Sequence, residues 1–192
     1  MTPAVLRLHA RQLNEEVLYT AADVMRVSRQ EVEILKEAAE ANARKRIRLC
    51  AHVDPEAAVH EMLIVHARDI YVPPHRHVGK TESFHMVEGA LTLVLFEEGG
   101  GVRDVVEMGT FESGRAFYHR LGEAVYHTVL IRSEVAVFHE TTAGPFRREA
   151  MELAPWAPPA DDAMKVRRFM DALERELAQR TKAGTERREG TV

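Results

Sequence analysis

The stretch Ala90-Leu91-Thr92-Leu93-Val94-Leu95-Phe96 leads into Gly99-Gly100-Gly101, and a second run, Val102 to Val106, follows. Strand-forming residues on both sides of a glycine turn predict an antiparallel hairpin. A lone hairpin is not stable in water, so this one needs further strands around it. The chain supplies them at Val59 to Val65, Phe117 to Leu121, His127 to Arg132 and Val135 to Glu140. Short strands at regular spacing predict a mainly β sandwich or barrel.

Helical patterns flank this zone. Ser28-Arg29-Gln30-Glu31 reads as a capping box with Val27 and Val32 as a staple, and Val32, Leu35, Ala38, Ala39 and Asn42 recur at helical spacing. A helix from Arg29 to about Ala43 follows, with the basic run Arg44-Lys45-Arg46-Ile47-Arg48 read as its solvated end and, alternatively, as an anion contact near a pocket. Beyond the irregular Pro155-Trp156-Ala157-Pro158-Pro159 connector, Asp161 or Asp162 can cap a helix that carries Val166, Phe169, Met170, Leu173 and Leu177 on one face. Gly184 is the expected stop, with a frayed tail over Thr185 to Val192. The expected organisation is an N-terminal helical extension (1–50), a β-barrel (51–150), and a connector with a C-terminal helix and tail (151–192).

The 192 residues suit one cored domain with extensions. A formal charge of −4 argues against a nucleic-acid partner. No segment reaches the roughly 18–20 apolar residues of a membrane span, and Met1 to Thr20 lacks the apolar core of a secretory signal. The single Cys50 excludes an internal disulfide. The expectation is a cytoplasmic protein with a small-molecule ligand. The apolar face of the terminal helix can pack on its own barrel or on a second copy, which leaves a homodimer open.

Of ten histidines, nine lie between His52 and His139. The informative segment is Pro73-Pro74-His75-Arg76-His77-Val78-Gly79-Lys80-Thr81-Glu82. On extended backbone His75 and His77 point to one face, and the prolines favour that geometry. Glu82 can return after a short bend and add a carboxylate, while Phe84 and Met86 share its parity and would line the same interior. Gly89 then permits a tight turn. Alternation points Arg76 outward, gives His85 the wrong parity for a ligand, and leaves His60 and His66 as solvent-facing or satisfied core groups. Tyr71, His119, His139 and Glu140 are candidates for a pocket mouth. Glu140 and Tyr71 are the candidate catalytic groups, Glu140 in acid–base work. Cys50 reads as an inert thiol, and Met62, Met86 and Met108 as core filler.

The pattern His-x-His-x4-Glu-x6-Gly resembles the first motif of the cupin superfamily, whose members are jelly-roll β-barrels. The resemblance implies a metal inside the barrel on His75, His77, Glu82 and a later histidine. His127 takes that place, although Gly122 and Ala124 replace the proline and glycine of the second motif; His119 is its competitor. Arg46-Ile47-Arg48, His52, Tyr71 to His77, Tyr126-His127, Gly144-Pro145-Phe146 and Ala154 to Pro158 further resemble the WbuC-type cupin metalloproteins, which accompany bacterial surface-polysaccharide genes. Tyr126 replaces that family's tryptophan, and its lysine before the Gly-Pro-aromatic segment is missing here.

Three imidazoles and a carboxylate suit Fe, Mn, Zn, Ni or Cu. The implied function is a metalloenzyme acting on a sugar-like or carbonyl- or hydroxyl-bearing substrate, as an isomerase or epimerase. Two alternatives stay open: an Fe-dependent dioxygenase, and a non-catalytic module that binds a metal-anchored small molecule.

Overall fold

The computed structural model describes residues 7–189, with side chains through residue 180. It divides into two compact units, Met1–Pro155 and Trp156–Val192.

In the first unit, a hairpin of β1 (Ala10–Asn14) and β2 (Val17–Thr20) precedes helix α1 (Arg29–Ala41). Ten strands follow: β3 (Arg46–Cys50), β4 (Val59–Ala67), β5 (His75–His77), β6 (Glu82–Glu88), β7 (Ala90–Phe96), β8 (Val102–Gly109), β9 (Tyr118–Leu121), β10 (Tyr126–Ile131), β11 (Val135–Ala143) and β12 (Met151–Leu153). One sheet has the order β1-β2-β3-β4-β11-β6-β9 and the other β12-β5-β10-β7-β8. Counting β4 to β11 as one to eight, the sheets contain 1-8-3-6 and 2-7-4-5. That interleaving of two Greek keys is a jelly roll. The protein is therefore mainly β, as the hairpin and strand spacing predicted, with the jelly-roll barrel that the motif resemblance implied.

Alternation along the strands separates two cores. Met62, Ile64, Phe84, Met86 and Phe138 of the first sheet meet Leu91, Leu93, Leu95, Met108 and Val129 of the second inside the barrel. On the outer face of the first sheet, Ile47, Leu49, Val65 and Val137 pack against Val32, Leu35 and Ala39 of α1. The helix begins as expected: Gln30 N–H donates to Ser28 Oγ at 3.2 Å and Ser28 N–H to Glu31 Oε2 at 2.6 Å. Gly89 sits at φ 77°, where an added Cβ would lie 2.2 Å from the Val135 carbonyl oxygen. Only glycine fits this turn between β6 and β7.

Among the described residues of the N-terminal segment, the helix Arg29–Ala41 is accompanied by β1, β2 and β3, which extend the first sheet there. The basic run is correspondingly not a helix end. Asn42 closes α1, Lys45 takes φ 52°, and Arg46 begins β3. At the other end of the barrel segment, β12 pairs with β5, so strand pairing continues to Leu153.

In the second unit, helix α2 (Ala163–Glu189) starts at Asp162, whose Oδ1 accepts from Lys165 N–H at 3.0 Å. It runs through Gly184, contrary to the expected stop. An interior glycine costs about 1 kcal/mol, which surrounding good helix formers outweigh. The expected frayed tail is helical to Glu189, and residues 190–192 lie outside the described residues. Among the described residues no helix is long and apolar enough to cross a membrane.

Candidate metal centre

Strand β5 is only three residues long and lies between β12 and β10, with His75 directly across from His127. Period-two alternation then turns His75 and His77 inward and Arg76 outward. Arg76 binds Glu152 at 2.7 Å and Glu98 at 2.8 Å and covers the Tyr126 ring at 4.5 Å. The imidazole centroids of His75 lie 5.1 Å from His77 and 4.5 Å from His127. One ring nitrogen from each of His75, His77 and His127 falls within 4.8 Å of the others. That separation approaches the roughly 4 Å spanned by two metal–nitrogen bonds on one ion.

Glu82 reaches this cluster from the opposite sheet. Its Oε1 is 2.8 Å from His127 Nε2 and its Oε2 3.4 Å from His77 Nε2. Neither Glu82 Oε1 nor His127 Nε2 has an aligned hydrogen bond, although both are buried. Buried polar atoms ordinarily find partners, so such a pair marks a place for something else.

The tautomers are set locally. His75 Nδ1 lies 2.9 Å from the Pro73 carbonyl and His127 Nδ1 3.0 Å from the Val125 carbonyl. A carbonyl only accepts, so both Nδ1 atoms carry hydrogen and each ring turns its Nε2 inward as the atom that binds an ion once it carries no proton. Burial, reinforced by the neighbouring imidazoles, pushes the His75 pKa down to about 3. His77 is also lowered by burial, against the pull of Glu82. For His127 burial acts downward too, but the Glu82 carboxylate outweighs it and the value rises. Burial tends to raise Glu82, yet the His127 imidazole beside it leads a net shift downward. The cluster is thus one ionised carboxylate among imidazoles of which His75 and His77 are shifted toward the neutral form. Ligation needs that state.

His127 and Glu82 are 2% and 4% exposed. The His77 side chain keeps 22%, which makes it the open side of the cluster. His119 lies on the inner face opposite Phe84, with Nε2 buried and unpartnered, but it does not join the three-imidazole group.

Glu140 also faces inward, two residues from Thr142, the partner of Glu82. Burial first and the Glu82 charge second push its carboxyl up to about 8. Tyr71 lies in the segment before β5, half-buried, and burial pushes its phenol up to about 12. Of the other candidates for a pocket mouth, His139 lies on the outer face in an apolar groove of about 610 Å³ beside α1, with Val32, Leu49 and Leu63. Strand parity puts it opposite to Glu140. His85 is exposed, as its parity required. His60 is core: its ring stacks on His52 at 4.1 Å. His66 lies inside against Phe138. Cys50 is buried, and desolvation pushes its thiol up to about 11, which agrees with an inert role.

The sequence reading did not single out Arg48, which stood only within the basic run offered alternatively as an anion contact near a pocket. Arg48 and Cys50 alternate with Ile47 and Leu49, which face α1. That alternation was the available signal, hidden by reading the run as a helix end.

A sequence-family model described as a domain of unknown function (DUF6016) matches residues 27–108. Among curated proteins none matches the chain. Similar solved structures include protein SO0799 from Shewanella oneidensis, at 10% identity and TM-score 0.48 over 58% of this chain and 75% of that one. An oxalate oxidase in complex with the substrate analogue glycolate aligns at 14% identity and TM-score 0.41, over 51% of this chain and 47% of that one. The oxalate decarboxylase of Bacillus subtilis, described with Mn(II) centres, aligns at 16% identity and TM-score 0.40, over 50% of this chain and 24% of that one. The chain thus spans about half of the oxidase and a quarter of the decarboxylase.

Proposed function

We propose that His75, His77, Glu82 and His127 hold one divalent transition-metal ion, and that the protein is a metalloenzyme of the cupin type acting on a small oxygen-bearing molecule. One observation carries the reading. Two imidazoles have their outer nitrogens tied to backbone carbonyls, so their Nε2 atoms converge with His77 and a buried carboxylate.

When bound, such an ion supplies Lewis acidity toward a carbonyl or hydroxyl oxygen. The protein's own groups do the rest. Glu82 brings negative charge to the cluster, and the Pro73 and Val125 carbonyls hold two rings in register. His77 lies where solvent and ligand reach the cluster. Glu140, protonated at neutral pH with its value near 8, would donate a hydrogen bond or proton to a ligand oxygen. Tyr71, a neutral phenol, offers a second donor from the segment that leads into β5. The WbuC-like motif series supports a sugar-like substrate in surface-polysaccharide metabolism.

Elemental analysis of the purified protein, wild type against His127→Ala, tests the metal, with exposed His85→Ala as the control. One ion per chain in wild type and His85→Ala, and its loss in a folded His127→Ala, is expected. A folded wild-type protein that takes up no ion from micromolar Mn, Fe, Co, Ni or Zn would sink the reading. Turnover of candidate nucleotide sugars by the loaded protein separates an enzyme from a binding module.

A further inference from the structure

The run from Arg44 to Arg48 carries four cations, and three are neutralised where they stand. Arg44 and Arg46 pair with Glu16 at 3.1 and 2.7 Å, and Lys45 pairs with Glu40 at 2.9 Å. Among the described residues no carboxylate pairs with Arg48, and its side chain makes no hydrogen bond. An unpaired arginine on an outer surface is ordinary. Arg48 is on the inner wall instead: its ladder partner Ile64, and Phe138 opposite Ile64, both belong to the barrel interior. It is nevertheless exposed, so the interior is open to solvent at this point.

The first sheet that carries Arg48 also carries Glu82. One inner-face step along, in the row that holds Cys50 and Met62, stands Glu140, whose carboxyl likewise has no ion pair or hydrogen bond among the described residues. Strands β3 and β11 are separated by β4 alone, about 10 Å at the usual strand spacing. The wall therefore presents a free guanidinium, a free carboxyl, and beyond them the imidazole cluster. The positive charge of Arg48 is felt at Glu140, Cys50, His52 and His60, which places it centrally on that wall.

We infer that the barrel interior takes a small carboxylate-bearing ligand, of the hydroxy-acid or sugar-acid class, with its carboxylate on Arg48 and an oxygen at its other end toward the histidine cluster. This rests on the metal reading for the second contact only. A guanidinium offers a planar fork that matches a carboxylate. Among the described residues this stretch of wall carries one free cation and shares its sheet with ionised Glu82, which leaves room for a single negative charge at that end and favours a carboxylate over a doubly charged phosphate.

Malonate and its neutral isostere malonamide are the probes, titrated calorimetrically into cobalt(II)-loaded protein. A charge-assisted hydrogen bond contributes roughly 1.5–3 kcal/mol, so malonate should bind about ten- to a hundredfold more tightly than malonamide. Arg48→Gln should erase that preference at unchanged cobalt content, and Arg48→Lys should keep part of it. Equal binding of malonate by wild type and a folded Arg48→Gln, or no preference for malonate in wild type, overturns the inference. If Arg48→Gln does not fold, the malonate preference of the metal-free wild type decides the matter, since cobalt itself prefers the dianion. A protein that takes up no cobalt refutes the metal reading separately, and the malonate preference of the metal-free protein then tests Arg48 by itself.

Discussion

Metal uptake should release fewer than two protons per ion at pH 6.0, most of the release coming from His127. Three ordinary imidazoles with pKa near 6.5 would each be about three-quarters protonated there and would together release roughly 2.3 protons. The structure changes that count residue by residue. His75, pushed down to about 3, is already neutral. His77 is lowered and contributes less than its ordinary share. Glu82 is shifted downward, so it is ionised and has no proton to give. His127 alone is raised, held protonated by Glu82 against the effect of its own burial. Its proton competes with the ion for the same Nε2, so affinity rises with pH until His127 has titrated. Calorimetry in buffers of different ionisation enthalpy reads the number directly. In Glu82→Gln the carboxylate that retains the proton is gone, burial then dominates at His127, and the released fraction should fall. Release of two or more protons by the wild type would refute the electrostatic account. So would release near zero, since that requires an unprotonated His127.

Three further outcomes follow from packing. Phe138 is 2% exposed and meets both Phe84 and His66 at 5.5 Å, so Phe138→Ala should cost about 3–5 kcal/mol in urea unfolding; a loss below 1 kcal/mol would mean an unpacked barrel floor. Gly89→Ala should cost more than the about 1–2 kcal/mol of left-handed backbone, because its Cβ would meet the Val135 carbonyl at 2.2 Å, and a melting curve like that of wild type would contradict this. Ser28→Ala removes the side-chain half of the capping box and should cost about 1 kcal/mol with metal content unchanged, as read by thermal unfolding and elemental analysis.

The parts of the fold that were legible are those whose signal is local. The Ser28 capping box, the strand Ala90–Phe96 with its glycine turn, and the prolines before His75 each specify backbone from adjacent residues. What stayed hidden depends on partners distant in sequence. Strand β2 is the four residues Val17–Thr20, too short for periodicity, and it exists because β3 pairs with it in parallel. Strand β12 is three residues that take shape against β5. Arg48 was obscured for the same reason: until 46–50 is known to be a strand, its charge looks like part of a solvated run. In the candidate site, His75, His77 and Glu82 were readable from spacing and alternation. His127 came from motif resemblance, and the ladder explains why spacing alone could not supply it: it meets His75 across a strand pairing that spans 52 residues of chain.

Part of the cluster's organisation comes from the backbone. In both His75 and His127 the Nδ1 hydrogen goes to the carbonyl two residues earlier, at Pro73 and Val125. That short closure fixes each ring before any cation arrives, and it draws on backbone that the flanking strands already hold. Because the three imidazoles come from one sheet and the carboxylate from the other, each sheet brings part of the set to a common point. The arrangement has a thermodynamic consequence. His127 Nε2 and Glu82 Oε1 lose water on folding without gaining an aligned hydrogen bond, and an unsatisfied buried polar atom costs about 1–3 kcal/mol. A sequence selected for stability alone would put apolar side chains in these places. Retaining a buried carboxylate and a buried imidazole beside two half-buried imidazoles, with their polar atoms gathered at one place, is the pattern expected where occupancy of the site, rather than the empty fold, is what the sequence maintains.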